Sequence, residues 1–155
     1  MIKYLTTVII SLPLLCWGQG NLVPNGGFEE LVSCPTMPGQ VWSTSYWNNP
    51  NAASPDYFHS CNLSLVFPPD TIQWPNVGVP SNTFGYQQAN SGEAYSGMYC
   101  YSFTQGELRD YIQIKLIDSI VPNVRYLVGF YASLADKSQY TINTLGAMTL
   151  RSRSE

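Results

Sequence analysis

Apolar and polar positions alternate with a period of two through much of the second half of the chain. In residues 108–116, Ile112, Ile114 and Leu116 alternate with Tyr111, Gln113 and Lys115, the pattern of a strand with one buried face. In residues 125–134, Tyr126, Val128, Phe130, Ala132 and Leu134 alternate with Arg125, Leu127, Gly129 and Tyr131. Both faces are apolar there, which predicts a central strand. The stretches EAYSGMYCYSF (93–103) and YTINTLGAMTL (140–150) read as further strands, set apart by turn residues such as Thr104-Gln105-Gly106 and Val121-Pro122-Asn123. Residues 34–82 are crowded with Pro, Asn and Ser, which punctuate against helices and leave room only for short strands around residues 41–47. No stretch carries a helical period. The expected fold is an all-β, antiparallel β-sandwich in which Phe28, Ile112, Ile114, Val128 and Phe130 share one interior.

The first twenty residues follow a different pattern. Lys3 precedes a mostly apolar run over residues 4–17, and Gly18 and Gly20 supply small residues for cleavage. These are the parts of a secretory signal peptide, so residues 1–20 are expected to be a leader and residues 21–155 one domain. The run falls short of the roughly 20 residues a spanning helix needs, so no transmembrane helix is expected after cleavage. Leu15 before Cys16 argues against a lipoprotein. Cleavage would leave about 135 residues, enough for one core. Only 11% of residues are charged and the net charge is -3, so no basic patch is expected to neutralise phosphates and nucleic acid is not an expected partner.

Export would permit disulfides. Cys34 (VSCPTMPG) and Cys61 (FHSCNLS) lie in loop-like sequence, whereas Cys100 lies among strand residues, so Cys34 with Cys61 is the expected pair. Three unpaired thiols are the alternative, since spacing does not fix connectivity. Catalytic material is thin. His59 is the only histidine, with Asp56 nearby, and no Gly-x-Ser-x-Gly elbow occurs. Asp70, Glu93, Glu107, Asp110 and Asp136 are available for glycosidase chemistry, but spacing along a β chain places no two of them face to face. The chain is therefore expected not to be an enzyme, and His59 to serve local hydrogen bonds.

Several stretches carry a family resemblance: NGGFEE (25–30), SCP (33–35), SPDYFHSC (54–61), GVPSNTFGYQQANSGEAYSG (78–97), LRDYIQIKL (108–116) and YLVGFYASLADKSQY (126–140). The opening NLVPNGGFEE resembles the first strand of galactose-binding-like, carbohydrate-binding-module-type jelly rolls. The whole resembles N-terminal jelly-roll domains of Bacteroidota secreted and outer-membrane proteins, often placed ahead of OmpA-like or type IX secretion segments. Gly26 and Gly27 can take positive φ without strain, so the chain is expected to bend after Pro24 and drop Phe28 into the core. The resemblance implies a jelly roll with a structural Ca²⁺ held through Glu29. It also implies C-terminal domains in the same full-length protein and a place in the cell envelope or outside the cell. A jelly roll has about eight strands and roughly six are readable here, so an incomplete domain lacking its C-terminal strands is expected.

Binding has more material than catalysis. Trp42, Trp47, Tyr57, Trp74, Tyr86 and Tyr95 lie on or beside Pro/Asn-rich loops, and aromatic faces flanked by amides suit sugars. Trp74, Tyr86, Gln87, Gln88 and Asn90 are the expected ligand-facing residues, with most other aromatics structural. The functional expectation is a non-catalytic module binding a polysaccharide or cell-surface glycan. The alternatives are a structural or adhesive domain contacting protein or peptidoglycan neighbours, and a fragment of a glycan-processing hydrolase.

Overall fold

The computed structural model describes residues 20–62, 76–101 and 109–150. Residues 1–19 of the proposed leader, Trp74, Asp70 and Glu107 lie outside these residues. The described chain is built from short antiparallel strands with almost no helix. In order these are a 3-10 turn Val41–Ser43, then β1 (Trp47–Asn48), β2 (Asp56–His59), β3 (Ser81–Asn82), β4 (Gly85–Tyr86), β5 (Ala94–Gly97) and β6 (Gln113–Ile114). They pair as three two-stranded antiparallel sheets: β1 with β6, β2 with β5, and β3 with β4.

The centre of the fold is β2 with β5, in the register Asp56 to Gly97, Tyr57 to Ser96, Phe58 to Tyr95 and His59 to Ala94. All four residues of β2 are buried. Val41, Ala53, Val77 and Ala94 complete the apolar core with Tyr57 and Phe58. Sequence reading treats this stretch as loop because Pro55 and Ser54 flank it. Packing overrides that punctuation: Phe58 stacks on Tyr95, with centroids 5.0 Å apart, and meets Phe84 edge-on at 5.8 Å. Around residues 41–47, where a short strand is expected, Val41–Ser43 instead forms a 3-10 turn that buries Val41 and Ser43.

The segment at 25–30 folds as a turn whose left-handed residues are Asn25 (φ 46°) and Phe28 (φ 65°). The expectation that Gly26 and Gly27 supply positive φ is corrected accordingly. Asn tolerates this conformation because its short polar side chain bonds locally, and Asn25 is bonded on every side. Its Nδ2 donates to the Glu30 carbonyl, Thr44 Oγ1 and the Ser45 carbonyl at 2.9–3.0 Å, while its Oδ1 accepts the Glu30 N–H at 2.9 Å. The Asn25 carbonyl accepts the Trp47 indole N–H at 2.9 Å, and the Phe28 ring stacks on Trp47 at 4.8 Å. Tyr57 donates its hydroxyl to the Phe28 carbonyl at 2.8 Å, tying the turn to the central strand.

The expected Cys34–Cys61 disulfide is present, with Cα atoms 6.0 Å apart, and Cys100 is a free, half-buried thiol. Beside the disulfide, Asn62 Nδ2 donates to the Pro35 carbonyl at 2.8 Å, so the same two loops are joined twice.

The second half departs most from expectation. Of the predicted strand at residues 108–116 only Gln113–Ile114 pairs, although the alternation survives as half-buried Ile112, Ile114 and Leu116 between exposed neighbours. Residues 125–134 form no described strand. Val128 is 60% exposed and Phe130 54% exposed, so they do not join the expected shared interior, and Phe28, Ile112 and Ile114 are only half-buried. Periodicity defines faces, but a ladder needs a partner strand, and residues 125–134 have none among the described residues.

Candidate functional site

The β3–β4 hairpin carries Tyr86, one of the five expected ligand residues, and Gln87 and Gln88 follow it directly. Its position is fixed from beneath by Asn82 and Phe84. Buried Asn82 donates Nδ2 to the Tyr95 hydroxyl at 2.6 Å and to the Gly78 carbonyl at 3.3 Å, and its Oδ1 accepts the Phe84 N–H at 2.9 Å. Phe84, at the hairpin turn, inserts between Phe58 and Tyr99, both met edge-on at 5.8 Å. The hairpin therefore sits on the aromatic end of the core and cannot swing freely.

A second set of bonds reaches it from residues 133–137. The Asp136 carboxylate accepts the Tyr86 N–H at 2.8 Å, Lys137 donates its backbone N–H to the Phe84 carbonyl at 3.1 Å, and its Nζ donates to the Thr83 carbonyl at 2.8 Å. This approach depends on Gly85. Its φ is +141°, and a Cβ there would lie 2.6 Å from the Asp136 Cβ, so a side chain would push the strap away.

On this support Tyr86 presents its ring to solvent, 61% exposed. Gln88, two residues on and thus on the same face, donates Nε2 to the Tyr86 hydroxyl at 3.0 Å. Gln87 turns inward to the strap: its Oε1 accepts the Ser133 hydroxyl at 2.8 Å, and its Nε2 donates to the Gln88 carbonyl at 2.7 Å. Asn90 is exposed and its side chain makes no hydrogen bond to a described residue. Tyr86 and Gln88 are thus brought together, Gln87 supports them, and Asn90 stands apart. Of the other aromatics, Tyr57 is buried, Tyr95 and Trp47 are half-buried and bonded, and Trp42 is exposed. Ser133 and Lys137 have no sequence signal as site residues, and Asp136 is read only as a candidate acid, because all three lie some 50 positions away and meet the hairpin only through folding.

Glu29, the expected calcium ligand, is engaged with backbone. Its two oxygens accept the Glu93 N–H at 3.1 and 2.9 Å, and one also accepts the Ala94 N–H at 3.3 Å. Gly92 (φ +67°) permits this: a Cβ there would lie 2.3 Å from the Glu29 carboxylate. Among the described residues no group of three or more His, Cys, Asp or Glu side chains gathers in a geometry for a metal ion.

Among the described residues, Asp56 and His59 do not converge. Asp56 and His59 are three positions apart on β2, so their side chains leave opposite faces. Asp56 Oδ1 accepts the Gly39 N–H at 2.6 Å, and His59 Nδ1 accepts the Cys61 N–H at 2.9 Å. Asp110 accepts the Ser54 and Tyr99 N–H groups at 3.0 and 2.7 Å, and Glu93 accepts the Ser60 hydroxyl. Burial, with a smaller contribution from the Asp110 charge, pushes the Asp56 carboxyl up to about 6, opposed by the Gly39 N–H. Burial also pushes the Tyr57 hydroxyl up to about 12 and raises the Cys100 thiol.

No helix among the described residues is long and apolar enough to cross a membrane. Compared with known proteins, the chain matches no family model, no curated protein and no solved structure.

Proposed function

We propose that this chain is an exported, non-catalytic β-sandwich module of jelly-roll type that binds a glycan at the face formed by Tyr86 and Gln88. One observation carries the reading: an exposed aromatic ring has its hydroxyl held by a neighbouring amide, on a hairpin that both the core and the 133–137 strap keep in place. Such a face offers the apolar stacking surface and adjacent polar edge that sugars require. Rigidity matters because a preorganised site loses little conformational entropy on binding.

Non-catalysis rests on the sequence, in which His59 is the only histidine and no Gly-x-Ser-x-Gly elbow occurs. Export is supported by the leader-like residues 1–20 and by the disulfide. The resemblance makes the module the recognition domain of a larger cell-envelope or secreted protein.

The test is a glycan array probed with the purified protein and its Tyr86→Ala variant. The wild type is expected to retain one or more polysaccharides, and the variant to bind them at least about tenfold more weakly, since loss of a stacking ring costs on the order of 1.4 kcal/mol or more. A silent array would end the glycan reading.

A structural or adhesive role is the second reading, favoured by the exposed apolar side chains of residues 125–134. Leu127 is 99% and Tyr131 84% exposed, an apolar surface of the kind that protein neighbours cover.

A further inference from the structure

The hydrogen bonds inside the Tyr86 and Gln88 face leave a specific pair of groups pointing outward. Gln88 Nε2 donates to the Tyr86 phenol oxygen, so the phenol proton remains to be donated. Gln88 Oε1 accepts no hydrogen bond from a described residue, and it lies on the same amide, beside that phenol. The edge of the ring therefore presents one donor and one acceptor side by side. Gln87 contributes neither: its Oε1 is taken by Ser133 and its Nε2 donates to the Gln88 carbonyl. It acts as a positioning residue that fixes the Gln88 backbone.

We propose that this face selects sugars with two adjacent ring hydroxyls, a claim that rests on the glycan reading above. A hydroxyl both donates and accepts. One hydroxyl oxygen takes the Tyr86 proton while its neighbour donates to Gln88 Oε1, and the C–H face of the sugar lies on the ring.

Linkage isomers test the claim, because a 1→4-linked glucan leaves the adjacent O2 and O3 hydroxyls free along its length, whereas internal residues of a 1→3-linked glucan have none. Calorimetric titration of the full chain with cellohexaose and laminarihexaose is expected to rank cellohexaose first by about tenfold or more, the equivalent of one well-made hydrogen bond. Tyr86→Phe keeps the ring and removes the proton. It is expected to weaken cellohexaose about tenfold and to leave laminarihexaose unchanged, with an unaltered Tm as the check on folding. Equal affinity for the two glucans or an unaffected Tyr86→Phe variant would overturn the diol claim. If neither glucan binds but the array retains another glycan that Tyr86→Ala loses, the diol claim falls and the glycan reading stands. A silent array removes both.

Discussion

Glu29 grips the start of β5 through Glu93, whose backbone N–H lies 3.1 and 2.9 Å from its two carboxylate oxygens. A side chain from the N-terminal turn thereby satisfies two donors, 64 and 65 residues away, at the start of the central sheet's second strand. Glu29→Ala is expected to lower stability by about 1–2 kcal/mol and Glu29→Gln by less, because the amide keeps one acceptor. Thermal melts check this. A rise in Tm on adding Ca²⁺ that Glu29→Gln abolishes would instead assign the carboxylate to a cation.

Asn25 gathers more contacts than any glycine beside it. Asn25→Ala is expected to cost about 3 kcal/mol, combining the loss of its side-chain bonds with a Cβ residue strained at φ 46°. Asn25→Gly relieves only the backbone part and is expected to fall between Asn25→Ala and the wild type. Equal destabilisation by both would show that conformation contributes nothing, and chemical denaturation distinguishes the cases.

The Cys34–Cys61 bond closes a loop of 27 residues, which in the chain-entropy model contributes about 3.5 kcal/mol. Reduction, or the Cys34→Ser/Cys61→Ser double variant, is expected to lower the denaturation midpoint accordingly. Cys100 is expected to react slowly with alkylating agents in the native state, because burial raises its thiol above the usual range, and rapidly in denaturant.

Asp56 gives the fold an acid-side preference. Its carboxyl titrates near 6 when folded against 3.8 for the free group, so the folded state binds the proton more tightly than the unfolded chain. The stabilisation from this group is fully present below pH 3.8 and is lost as pH rises through about 6. The span corresponds to an upper bound of about 3 kcal/mol. Asp56→Asn, which keeps an acceptor for the Gly39 N–H, is expected to raise stability at pH 7.5 and to flatten the change between pH 4 and 7.5. An unchanged pH profile in that variant would show that Asp56 does not carry the effect.

What the chain revealed in advance follows from what is local. The left-over thiol at Cys100 could be read because flanking residues mark loops and strands. The period of two at Ile112, Ile114 and Leu116 marked which side chains turn inward. The Asp56–His59 strand was hidden by its Pro and Ser neighbours, since its burial comes from Ala94–Gly97, paired with it from nearly 40 residues away. At residues 125–134 the alternation is as clear as at 111–116, yet no ladder forms among the described residues, because a strand exists through its partner. The same reason separates Tyr86 and Gln88, legible as an aromatic beside amides, from Ser133, Asp136 and Lys137, which reach the hairpin only through the fold.

The most direct test is residue-resolved. Backbone amide shifts recorded by NMR while a polysaccharide retained on the array is titrated should move first and furthest at residues 81–88 and 133–137, with Tyr86→Ala abolishing the response. Shifts confined to residues 125–134, or unaltered by Tyr86→Ala, would contradict a glycan site on the β3–β4 hairpin.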